Sequence, residues 1–134
     1  FSEVKSNNFL LYVMAAMYAR QNGLGDCLIL NQYGRIADAT IANVFWIKKK
    51  VIHTPPLEEG GIAGVTRRFL LEQLPAAGYT VNEQPLTLDD ILDADEIFLT
   101  NAVRGIRAVG KCRDRSYSSS LTKEIHSWLM DKWK

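Results

Sequence analysis

A lysine at the margin of an apolar stretch has chemistry open to it. Lys5 stands just ahead of "FLLYVMAAMYA", Phe9 to Ala19. Partial desolvation lowers an amine's proton affinity and leaves it able to attack a carbonyl. The plainer reading is a snorkelling or surface lysine at a helix start, and residue type alone favours it. A second group is "RIADATIAN", residues 35–43, which holds the carboxylate of Asp38 and the carboxamide of Asn43 five apart, at the entrance to an apolar strand. A third is "GIAGVTRR". Backbone N–H groups of Val65 and Thr66 open a helix there, where unpaired donors and the positive dipole end suit a phosphate, and the Thr66 hydroxyl adds a donor. The stretch lacks Walker A and GxGxxG spacing, so an ordinary glycine loop and helix start fits it too. The fourth is "LTNAVRGIRAV". Turn amides around Asn101 and Ala102, with Arg104 and Arg107 close by, offer a second anion-binding corner. A hairpin with two exposed arginines reads equally well.

Other candidates carry less. Asp89, Asp90, Asp93, Asp95 and Glu96 form an acidic group, but no histidine joins it and helical spacing scatters the carboxylates, which argues against a metal site. His53 falls in a hairpin and His126 on the last helix; lone histidines are usually structural. No serine or cysteine has the context of a nucleophile elbow.

The elements that must position these groups follow from periodicity and breakers. Ala, Leu and Met content favours a nearly all-buried helix from about Ser6 to Gln21, ended by "NGLG". "CLILN" reads as a buried strand and "NQYGR" as a turn with Gly34. "NVFWIKKKVIHTPP" is a hairpin whose tip, Lys48–Lys50, is most simply a solvated turn. "GIAGVTRRFLLEQLPAAGY" leads into an amphipathic helix that runs out near Pro75 and Gly78. "TVNEQPL" is a short strand, and "TLDDILDAD" a short helix with Thr87 and Asp90 at capping-box spacing. "EIFLTN" and "IRAVG" are strands flanking the "NAVRG" turn, and "SSLTKEIHSWLMDKW" closes as a helix. Helices and strands interleave, yet short turns join several strands, so an α+β layout is expected rather than a purely parallel sheet.

The 134 residues, 47% of them hydrophobic, suffice for one domain with a real core. A net charge of +1 and a pI near 8.0 give no electrostatic case for nucleic acid or an anionic membrane. The longest apolar run is far short of the roughly 20 residues of a membrane span, and no charged n-region or cleavage pattern makes it a signal peptide. Cys27 and Cys112 have no metal-like spacing; reduced cytoplasmic thiols are favoured, and a disulfide between them stays open. A start on "FSEVK", without methionine, points to a fragment or processed chain.

In order, "KSNNF", "GDCLILNQYGRIADATIANVFW", "HTPPLEEGGIAGVTRRFLL" and "VNEQPLTLDDILDADEIFLTNA" resemble the PLP-dependent class IV aminotransferases of fold type IV. That family includes branched-chain and D-amino-acid aminotransferases and 4-amino-4-deoxychorismate lyase. The likeness is to its C-terminal domain, a mixed sheet or pseudo-barrel with packed helices. The family's N-terminal domain, which supplies a phosphate-binding arginine and part of the substrate pocket, is not among these residues.

The resemblance implies roles residue by residue. Lys5 matches the lysine that joins PLP as an imine and carries the substrate's Cα proton. Val65 and Thr66 match the helix-start groups that hold the cofactor phosphate. Asn101 and Ala102 match a second phosphate-side turn, where Ala102 offers an N–H in place of the usual hydroxyl. Asp38 occupies the position of the glutamate whose carboxylate pairs with the pyridine nitrogen and keeps the ring an electron sink. The charge is kept, but the side chain is one methylene shorter, so the backbone must approach or a water must bridge. Asn43 reads as fixing the turn's backbone rather than touching the cofactor. Arg104 and Arg107 are candidates for a substrate carboxylate, from the turn's geometry and not from a family motif.

Transamination and lyase chemistry share their first steps. The "FLTNAVRGI" turn is more like the lyases' Asn-Ser turn than the Gly-Thr-Ala turn of branched-chain enzymes. Phe9 after Asn8 stands where branched-chain enzymes tend to carry tyrosine. Both lean toward pyruvate elimination giving 4-aminobenzoate, with a branched-chain or D-amino-acid aminotransferase as the alternative. Asp38, Ala102 and the missing arginine keep open a non-catalytic PLP-binding or oligomerisation module. The expected partner is a small amino-acid-like substrate, in a cytoplasmic homodimer of the full-length protein. The 134-residue piece alone is expected to be inactive.

Overall fold

The computed structural model describes residues 28–30, 35–39, 42–101, 105–112 and 115–132. Lys5, the expected Ser6–Gln21 helix, Cys27, Gly34, Ala102 and Arg104 lie outside the described residues.

Two apolar runs form the centre. "NVFWIK" is strand β3 (Asn43–Lys48) and "EIFLTN" is β6 (Glu96–Asn101), paired antiparallel from Asn43 opposite Thr100 to Ile47 opposite Glu96. Both strands are buried on both faces, which is why they read as continuous hydrophobic runs rather than alternating ones. Alternation still decides which core each side chain joins. Phe45, Ile47 and Phe98 point to one face, with Leu70, Leu74, Ile106, Ile125 and Leu129; Val44, Trp46, Ile97 and Leu99 point to the other, with Ile36, Leu86 and Ile91. The Phe45 and Phe98 rings stack across the strands at 4.9 Å and 4°.

Strand β4 (Val51–Thr54) pairs antiparallel with β3, β5 (Thr80–Glu83) parallel with β4, and β7 (Gly105–Ala108) antiparallel with β6, giving a five-stranded mixed sheet of order β5-β4-β3-β6-β7. Two-stranded ribbons flank it: β1 (Leu28–Leu30) with β2 (Ile36–Ala39), and β8 (Lys111–Cys112) with β9 (Arg115–Ser116). The expected α+β layout holds. The lysine tip is a two-residue hairpin turn, with Lys49 and Lys50 both at positive φ, 51° and 66°. It is more than a solvated turn: Lys48 Nζ donates to the Asp93 carbonyl at 2.9 Å, and the Lys49 N–H donates to Asp95 at 2.8 Å.

The parallel pair β4–β5 requires a crossover, and helix α1 (Val65–Gln73) supplies it. It ends as expected: Pro75 opens a 3-10 turn and Gly78, at φ 97°, takes the left-handed position that stops it. Helix α2 (Leu88–Asp93) carries the expected capping box, Asp90 N–H to Thr87 Oγ1 and Thr87 N–H to Asp90 Oδ2, both 3.1 Å. Helix α3 (Ser120–Lys132) buries Ile125 and Leu129 against the α1 side of the sheet. None of the described helices is long and apolar enough to cross a membrane.

Candidate functional site

Between β4 and α1 the chain crosses the top of the sheet as a glycine-rich strap, residues 57–64. A 3-10 turn, Leu57–Glu59, ends at Gly60 in the left-handed conformation, φ 108°. Glu59 is buried and receives both the Nε and Nη2 of Arg35, which fastens the strap to the start of β2. Gly61 then lies so close to β2 that a Cβ there would stand 2.7 Å from the Ala37 carbonyl oxygen. Only glycine lets the backbones approach this far.

That approach delivers the next residue to Asp38. The Ile62 N–H donates to Asp38 Oδ2 at 3.0 Å, and Asn43 Nδ2 donates to Asp38 Oδ1 at 3.1 Å. Asn43 Nδ2 also donates to the Ile62 carbonyl at 2.7 Å. One carboxamide therefore clamps the acid and the strap together, and Asp38 is only 2% exposed. As the sequence reading has it, Asn43 fixes backbone; among the described residues that backbone is Ile62, nineteen residues on. Ile62 keeps its side chain 44% exposed beside this carboxylate.

The strap ends at Gly64, the residue before α1, where a Cβ would fall 2.3 Å from Asn43 Oδ1. Gly64 has no side chain to cap the helix, and its carbonyl, the first helical acceptor, takes the Arg68 N–H. The amides of Val65 and Thr66 thus open α1 as donors. Val65 turns its side chain to solvent, so what it brings is its backbone. Thr66 is buried, and its hydroxyl donates to the Asn101 carbonyl at 3.0 Å. This brings Thr66 and Asn101 together, as the resemblance implies, but it engages the Thr66 proton that the sequence reading assigned to an anion. Arg67, which the sequence reading passed over, is buried; its Nη2 donates to the Pro55 carbonyl at 3.0 Å and pairs with Glu83 at 2.8 Å. It ties α1 to the exit of β4 and to β5, while its neighbour Arg68 stays exposed. The "RR" pair hides that division.

Arg107 is not part of this corner. It pairs with Leu99 in the β6–β7 register and shares that residue's face, whereas Thr100 and its partner Ile106 face α1. The acidic group is likewise dispersed. Asp90 caps α2, Asp93 and Asp95 surround Lys48, and Glu96 accepts from the Leu121 and Thr122 amides and the Thr122 hydroxyl at 2.8–3.0 Å. His53 stacks on Trp46 at 5.0 Å, and burial holds its pKa below the ordinary value against the opposing pull of Asp90.

The sequence model described as "Amino-transferase class IV" matches residues 1–112. The chain is 38% identical over 105 residues to an aminodeoxychorismate lyase of Vibrio harveyi, covering 78% of this chain and 39% of that protein. The branched-chain aminotransferase of Thermoproteus uzoniensis, solved with norvaline, superposes with a TM-score of 0.85 at 28% identity, over 89% of this chain and 40% of that one. An aminotransferase of Brucella abortus solved with PLP shares the fold, with a TM-score of 0.82 at 24% identity over 91% and 44%. The chain therefore spans about two fifths of the length of these relatives, and the solved ones share its fold. The protein belongs to the class IV aminotransferase family.

Proposed function

We propose that residues 1–134 form the PLP-binding domain of a class IV enzyme, leaning toward 4-amino-4-deoxychorismate lyase. The observation that carries this is a continuous path of one acid and one open helix start: Asp38, Asn43, the strap, Gly64, then the amides of Val65 and Thr66. A buried carboxylate at one end and backbone donors at the other fit a flat, protonated heterocycle bearing a phosphate ester. When bound, PLP supplies an aldehyde that takes up the substrate amine and a ring that accepts electrons released at the substrate Cα. Asp38 holds the proton on the ring nitrogen, and its two donors keep the carboxylate from turning away. Val65 and Thr66 hold the phosphate through their amides, with Asn101 and Ala102 completing that side. Lys5 Nζ takes the proton from the substrate Cα. Arg104 is the candidate for a substrate carboxylate; Arg107, on the other face of the sheet, is the weaker one.

The lean toward the lyase rests on the "LTNAVRG" turn and on the Vibrio harveyi relative; the structural likeness to a branched-chain aminotransferase supports the alternative. With the whole protein, PLP should give an absorbance band that Lys5→Ala abolishes. Asp38→Asn should keep PLP bound yet lower turnover by roughly a thousandfold or more, equivalent to about 4 kcal/mol of barrier. Unchanged turnover in Asp38→Asn sinks the assignment. Supplying aminodeoxychorismate in one assay, and an amino acid with a 2-oxoacid in another, separates lyase from aminotransferase. The same two reactions decide against a non-catalytic module, and a homodimer is expected by sedimentation.

A further inference from the structure

Among the described residues, two buried side-chain polar atoms have no hydrogen-bond partner: His53 Nδ1 and Thr100 Oγ1. Leaving a buried hydroxyl unpaired costs about 1–3 kcal/mol, so its position asks for a reason. Thr100 is 1% exposed. It lies directly opposite Asn43 in the β3–β6 register, and Asn43 touches Gly64, which opens α1. It also precedes Asn101, whose carbonyl receives the Thr66 hydroxyl. Along β6 side chains alternate, so Thr100 shares the face of Phe98, the face that Leu70 of α1 and its C-cap Leu74 cover. The orphan hydroxyl therefore stands beneath the first turn of α1. That turn has no side-chain cap, and its own hydroxyl is engaged as a donor elsewhere.

We propose that Thr100 is a further phosphate-binding residue of this corner. Its hydroxyl donates to the phosphate ester held on the α1 amides, and so makes the corner select a phosphorylated ligand over the phosphate-free one. This rests on the reading of the α1 start as a cofactor-phosphate site. The strand residue is well suited to the task, because its hydroxyl has no internal bond to give up when the anion arrives. The Thr66 hydroxyl, by contrast, must release the Asn101 carbonyl before it can donate.

The test compares wild type, Thr100→Val and Thr100→Ser in the whole protein. PLP and pyridoxal are each titrated by absorbance, and inorganic phosphate by its shift of the melting temperature. Valine keeps the volume and removes the donor; serine keeps the donor. Thr100→Val should weaken PLP by about tenfold, leave pyridoxal within about twofold, and lose most of the phosphate shift, as expected for one hydrogen bond to a charged group. Thr100→Ser should stay within about twofold of wild type throughout. An unchanged PLP affinity in Thr100→Val overturns the proposal, as does an equal loss for PLP and pyridoxal. If valine is not tolerated in the fold, Thr100→Ala against Thr100→Ser reads the same difference. A wild type that binds phosphate but not PLP removes the cofactor reading and keeps the donor role. One that binds neither removes both.

Discussion

Helices α1 and α3 both begin against strand β6, at its opposite ends, and they begin differently. At the Glu96 end, the strand supplies a buried carboxylate that takes the Leu121 amide, the Thr122 amide and the Thr122 hydroxyl. The positive end of α3 is thereby neutralised from within. At the Asn101 end, the strand offers α1 a carbonyl and an unpartnered hydroxyl, and Gly64 offers no side chain at all. The same physical need, donors seeking an anion, is met internally at one helix and by no side-chain cap at the other, the start we propose holds the phosphate. A helix start that carries its own anion is part of the scaffold, and one that lacks it is where an external anion can bind.

Exchanging the fates of the two ends is the strongest way to break this comparison. Glu96→Gln should destabilise the fold by about 3 kcal/mol, since charged hydrogen bonds are lost and buried amides are left poorly matched. A lowered urea midpoint should report this, with PLP affinity unaltered in what still folds. A loss of affinity as large as the loss of stability would mean that the two ends are not separate. Gly61→Ala should do the reverse. Its Cβ drives the strap off the Ala37 carbonyl and pulls the Ile62 amide from Asp38. About 2 kcal/mol of stability should go, together with most PLP binding.

The smallest effect separates the two orphans. His53 Nδ1, unlike Thr100 Oγ1, belongs to a ring stacked on Trp46, on the face of the sheet away from α1, within the field of Asp90. Its pKa is held below 6.5 in the fold, so above pH 6.5 it is neutral in both states and its contribution is complete. As pH falls below 6.5 the unfolded chain binds a proton that the fold resists, and stability declines. His53→Phe should keep the ring contact, flatten the change in urea midpoint between pH 7.5 and 5.5, and raise that midpoint at the acidic end relative to wild type. PLP affinity should not respond. If it does, an unpartnered buried atom is no guide to a ligand site in this protein.

Much of the scaffold was readable in one dimension. The lysine hairpin, the capping box at Thr87 and Asp90 and the Pro75–Gly78 stop of α1 rest on neighbours within a few residues. The resemblance then marked Asp38, Val65, Thr66 and Asn101 as candidates, and the fold links three of these positions through Asn43 and the Thr66–Asn101 bond. Composition could not reveal that Glu96 is a helix cap rather than one acid in a cluster, because its partners lie 25 and 26 residues on. Nor could it divide Arg67 from Arg68, or set Arg107 on the far face of the sheet.

Local rules determined which segments would be strand, helix or turn, since backbone preference and side-chain period act over a few residues. Only tertiary structure decided which polar groups find partners. That depends on strands brought into register and on two glycines that let the strap approach β2 and β3. A carboxylate and a helix start lie side by side because Asn43, on the central strand, bonds both Asp38 and the Ile62 carbonyl and touches Gly64.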